Sequence, residues 1–197
     1  MIRTVVLAAL PLLWAAASSA QVCSARIDGQ PDAKWSPVAP SAASATAHLE
    51  TQAHLRCTGC QPEVSLMLTA GPASPALQTM PIGRKVGEEW ARAVVDDPAS
   101  REGLRESVLR SELQSSPGCR LQGAVAGVET VGNLGTVATA IAGECAQGTV
   151  KLSAEFYSAY DYTCQYQVQM VWPTGPLPPE TRTEVSRLLR SIRFGQP

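Results

Sequence analysis

The sequence predicts an α+β domain: an antiparallel sheet, made of an N-terminal hairpin and a four-stranded meander, packed against helices and stabilised by disulfides. Three observations predict it. Apolar residues alternate with a period of two in two stretches between 46 and 69 and in four between 119 and 172, and recur at helical spacing between and after them. Strands and helices are segregated along the chain, which favours an antiparallel sheet over a parallel one. Six cysteines, an even number, sit in a chain that begins like an exported protein.

That beginning is MIRTVVLAALPLLWAAASSA, residues 1–20. A cationic start at Arg3, an apolar run from Val5 to Ala17 and the small residues Ser18, Ser19 and Ala20 predict a signal peptide cleaved after Ala20. The run is too short to span a bilayer. Ala20-Gln21-Val22 lacks the small residues of a lipoprotein site before Cys23. A formal charge of −1 and a pI near 6.1 give no electrostatic footprint for nucleic acid or an anionic membrane. The reading is an exported protein with no membrane insertion after cleavage, periplasmic or secreted, and the alanine-rich composition points to a bacterium.

Residues 21–45, rich in Ala, Ser and Pro, read as an extended segment tied down by Cys23, and 46–197 as a single domain. In the first strand Ala47, Leu49, Thr51, Ala53, Leu55 and Cys57 share one face, with His48, Glu50, Gln52, His54 and Arg56 on the other. Val64, Leu66 and Leu68 point inward in the second, with Ser65 and Thr69 outward. Thr58-Gly59 and Gln61-Pro62 between them predict a hairpin. Residues 71–82, with three prolines, read as a loop. Val86, Trp90, Ala93 and Val94 mark a helix. Asp97-Pro98 stops it and caps the next, whose inward residues are Leu104, Val108, Leu109 and Leu113.

The meander follows. Cys119, Leu121 and Val125 form one face of its first strand, and Gly132-Asn133-Leu134-Gly135 turns the chain. Val137, Thr139, Ile141 and Cys145 point inward on the second strand; Val150, Leu152, Ala154 and Phe156 do so on the third, with Lys151, Ser153 and Glu155 outward. A turn near Ala159-Tyr160-Asp161 leads to the fourth, where Tyr162, Cys164, Tyr166, Val168, Met170 and Trp172 alternate with Thr163, Gln165, Gln167 and Gln169. Phe156 is grouped with that aromatic face, and Tyr157 and Tyr160 are left outside it, free to touch a partner. A proline-rich link leads to a last helix with Val185, Leu188, Leu189 and Ile192 opposite Arg182, Arg187 and Arg190.

This order of elements over residues 46–194, with the ending EVSRLLRSIRF, resembles the PsbP/DcrB-like superfamily of small exported α/β/α proteins. The resemblance implies a fold and an accessory or binding role; it carries no catalytic residues.

Candidate chemistry is sparse. His54-Leu-Arg-Cys57-Thr-Gly-Cys60 offers a metal or redox motif. Zinc needs four convergent ligands, whereas Cys57 and His54 face opposite ways and His48 lies six residues from His54, about 20 Å along a strand. No metal site is expected. A redox cysteine needs a helix N-terminus or neighbouring positive charge; this pair lies between strands, so a structural staple is preferred to a thiol–disulfide function for Cys57 and Cys60. Gly143-Glu144-Cys145-Ala146-Gln147 has the outline of a nucleophile elbow without its closing glycine or its helix. Glu88-Glu89 and Asp96-Asp97 read as helix surface and cap. No cofactor motif is present.

Three disulfides are expected. A turn near Asn133 brings Cys119 to within two positions of Cys145 across a hairpin, both facing inward. Cys164, expected opposite Phe156 in the meander, must then pair among Cys23, Cys57 and Cys60; Cys23–Cys164 with Cys57–Cys60 is preferred. The functional expectation is a non-enzymatic accessory or binding protein whose partner is another exported or envelope protein. A thiol–disulfide protein is the alternative, and an inhibitor-like protein or a hydrolase using Cys145 stands behind it.

Overall fold

The structure, a computed structural model, describes residues 23–29, 31–39, 49–145, 148, 150–173 and 175–195. The expected signal peptide and His48 lie outside the described residues. The elements run β1 (Ala25–Ile27), β2 (Trp35–Pro37), β3 (Glu50–Cys57), β4 (Val64–Pro72), α1 (Pro75–Thr79), a 3-10 turn (Pro81–Arg84), α2 (Gly87–Asp96) and α3 (Pro98–Ser115). Then follow β5 (Arg120–Val131), β6 (Leu134–Cys145), β7 (Val150–Tyr160), β8 (Cys164–Trp172), α4 (Pro179–Ser191) and β9 (Ile192–Phe194). The α+β class and the antiparallel sheet are as expected from the sequence.

Seven strands form one antiparallel sheet in the order β2-β3-β4-β8-β7-β6-β5. The hairpin and the meander are therefore joined, through β4 and β8. Both faces of the sheet are used. On one, Leu66, Leu68, Tyr166, Val168 and Met170 pack with Val185, Leu188 and Leu189 of α4. On the other, Trp90, Ala91 and Val94 of α2 meet Val137 and Tyr160, and Val108 of α3 meets Ile141, Ala154 and Phe156. Each such buried side chain contributes roughly 1.5–3 kcal/mol of transfer free energy. The link between α2 and α3 is the expected cap: Asp97 accepts from the Ser100 amide at 2.9 Å, and Pro98 opens the first turn.

Several expectations change. The lead-in is not merely extended. β1 pairs antiparallel with β9, which continues directly from α4, and β2 adds to the sheet beside β3. The loop at 71–82 contains the end of β4, α1 and the 3-10 turn; Ser74 caps α1 by accepting from the Leu77 amide. Thr69, expected outside, is buried, and its hydroxyl donates to the Gln167 carbonyl. On α3 the buried positions are Val108 and Glu112, while Leu113 is 43% exposed. The stripe follows the four-residue ridge rather than its neighbour.

The largest revision is at the β7–β8 turn. Phe156 is opposite Gln169, not Cys164, because β7 runs on through Tyr160 and the turn is Asp161–Thr163. The register differs from expectation by five positions. An odd slip exchanges the faces, so Phe156 points to α3 while Tyr166 points to α4. Tyr157 and Tyr160 are buried, and Tyr162, expected inside, is 52% exposed with φ 76° in the turn.

Candidate functional site

The six cysteines form three bonds: Cys23–Cys164, Cys57–Cys60 and Cys119–Cys145, with Cα separations of 5.5, 5.4 and 4.1 Å. Cys57 and Cys60 close the mouth of the β3–β4 hairpin. Cys57 is fully buried and Cys60 nearly so, which shields both sulfurs from an attacking thiolate. Cys145 ends β6 and is bonded to Cys119, so it presents no nucleophile in this state.

His54 is half-buried rather than on an open face. Its Nε2 lies 2.9 Å from the Ser65 hydroxyl, and burial, then the charge of Arg56, lower its pKa. No group of three His, Cys, Asp or Glu side chains converges among the described residues. The expected caps and surface charges are in place: Glu88 pairs with Arg92 and Lys85 with Glu89.

An open trough of about 690 Å³ lies over β5, β6 and β7, on the α4 side of the sheet but beyond that helix. Its lining follows from cross-strand register. Arg120, Glu144 and Lys151 form one row; Gln122, Ala142, Ser153 and Trp172 form the next; Ala124, Ala140 and Glu155 form a third. Ala140 and Ala142 are exposed, so the floor is low. The first row alternates in sign, with two cations around one carboxylate.

At the α4 end stands a polar cluster. Both Glu155 oxygens accept from Arg182, at 2.6 and 2.7 Å, and one also accepts from the Tyr157 hydroxyl at 2.7 Å. Burial alone would raise the Glu155 pKa, but these donors outweigh it and hold the carboxyl below its usual range. Burial, and the charge of Glu155 beside it, push Tyr157 far above the ordinary phenol value. Arg182 also sits 6.0 Å over the Trp172 ring, whose indole donates to the Gly175 carbonyl. Every member is thus engaged: the cluster forms a fixed wall rather than a poised acid or base. Sequence reading placed Glu155 and Arg182 separately on outward faces. Only the register of β7 and the position of α4 bring them together.

A second buried acid, Glu112, accepts from the Ser116 hydroxyl and the Gln169 amide. Burial raises its pKa, against those two donors. A smaller cleft of about 400 Å³ lies between the α1 region and α3, where Leu77, Met80, Ile82, Trp90 and Leu104 make it mainly apolar.

No family profile and no curated protein matches the sequence. Among solved structures, the chain is similar to LpqN, described as involved in cell envelope biogenesis of Mycobacterium tuberculosis. The TM-score is 0.42 and the identity 13%, over 91% of this chain and 88% of that one.

Proposed function

We propose that the protein is an exported, disulfide-stabilised binding domain, an accessory protein of the bacterial envelope that holds a partner in the trough over β5–β7. The observation that carries this is the trough's construction: a low floor of Ala140, Ala142 and Ser153 between a charged row at one end and the Glu155–Arg182–Trp172 wall at the other. A wide open surface with a small-residue floor, a charged row and a fixed wall suits an extended polypeptide segment of another exported protein. The three disulfides fit an oxidising compartment. Helices on both faces of the sheet support a relationship to the PsbP/DcrB-like proteins, whose members are mostly of accessory type.

The test fills the floor. Ala142→Trp places a large side chain in the trough without touching the core. Quantitative capture from the native exported fraction, with wild type and A142W in parallel, should return a component that the variant loses while its melting temperature is unchanged. Equal recovery by both proteins contradicts the reading.

A further inference from the structure

The two edges of the sheet are unlike. β2 is three residues long and ends in Pro37, the kind of short, proline-bearing edge that discourages pairing. β5 is twelve residues long and has β6 on one side and no strand on the other among the described residues. From Leu121 to Val128 it carries no charge and no proline. Such an edge is a template for another strand.

We propose that the β5 edge pairs antiparallel with β5 of a second copy, making a symmetric dimer with a continuous sheet. The segment RLQGAVAGVE, residues 120–129, is complementary to itself when reversed. The β5–β6 register slips between Val125 and Gly127, leaving Ala126 as an extra residue. Without that bulge, Arg120 and Glu129 would lie on opposite faces. With it, Arg120, Ala124 and Glu129 share the face of Glu144, Ala140 and Thr136, while Leu121, Val125 and Val128 share the other.

A two-fold axis at Ala124 then sets Arg120 of each copy opposite Glu129 of the other, and Leu121 opposite Val128, on matching faces. Both charges are exposed, and neither makes an ion pair among the described residues; Glu129 acts on Arg182 only at longer range. Opposite charges directly across a strand pair stabilise it, and like charges do the reverse. On the α3 side, Leu109 and Leu121 both pack against the Val108–Ile141–Phe156 cluster. The symmetry is isologous, so each contact occurs twice.

Arg120 also stands in the trough's charged row, but the readout is the mass of the protein alone, with no trough partner present. Sedimentation of the oxidised chain should show a concentration-dependent monomer–dimer equilibrium. Arg120→Glu and Glu129→Arg should each weaken it by about tenfold or more, through two lost pairs per dimer. R120E/E129R together should restore it. Ala124→Lys, which sets two cations side by side on the axis, should leave only monomer. All these side chains are exposed, and unchanged melting of the dilute monomers shows that the fold survives. A monomer at every concentration overturns the proposal, as does a dimer indifferent to A124K. Failure of the double reversal to restore pairing rules out this register. Protection of the β5 amides from exchange only when another protein is added assigns the edge to a different chain.

Discussion

Glu112 shows how one residue departs from its element's pattern. It occupies the last turn of α3, where helix carbonyls already concentrate negative potential, and it is almost wholly buried. Its two donors, Ser116 and Gln169, are neutral and offset the cost of desolvating the charge only in part. The folded pKa is raised, so this side chain's favourable contribution is full below the ordinary carboxyl value of 4.5 and is lost as pH rises through the folded value. Glu112→Gln keeps the hydrogen-bonding shape without the charge. Denaturant unfolding should show the variant more stable than wild type at neutral pH, by on the order of 1 kcal/mol. The gain should vanish on acidification below 4.5. A variant less stable at neutral pH would mean that the carboxylate is stabilised by something the two donors do not supply. In the sequence, Glu112 was hidden by Leu113 beside it: hydrophobicity favoured Leu113 for the core, while the ridge from Val108 selected Glu112.

At the scale of elements, legibility followed length and turn geometry. The β5–β6 hairpin could be read because Gly132-Asn133 makes a two-residue turn that fixes register along both strands, with Val131 opposite Leu134. The single bulge at Ala126 then brings the arms together so that Arg120 is opposite Glu144, one step from the Cys119–Cys145 bond. β7 and β8 lacked such a marker. Tyr162 adopts a left-handed backbone without being glycine, so the turn could not be located by residue type, and the face of Phe156 was lost with it. β1, β2 and β9 span three residues each, too few for any period to register. The hairpin bond makes a prediction here. It closes a loop with a sequence separation of 26, and C119S/C145S should lower stability by about 3–4 kcal/mol in the chain-entropy treatment. Hydrogen exchange should rise first at the open end of β5 and β6. A loss under about 1 kcal/mol would indicate that the reduced chain keeps the hairpin closed.

At the scale of the molecule, covalent bonds and layers act together. The sheet is covered by α2 and α3 on one side and by α4 on the other. Cys23–Cys164 ties the start of the described chain to β8, while the β1–β9 ribbon and the Ser24 hydroxyl, which donates to Gly195 at 2.6 Å, hold the two ends side by side. No helix among the described residues is long and apolar enough to cross a membrane. The class and the cysteine framework were open to sequence reasoning because they depend on period, parity and count. The trough was not, since its lining comes from three strands and its wall from a salt bridge between residues 155 and 182. The proposed function requires a covalently locked domain that works by binding rather than by thiol chemistry. Its most direct test is a redox titration of the native exported protein, with thiol labelling and peptide mapping at each potential. The account predicts no labelled cysteine under mild reduction, and Cys23–Cys164, Cys57–Cys60 and Cys119–Cys145 as the mapped pairs. Selective, reversible opening of Cys57–Cys60 while the other two bonds stay closed would contradict it.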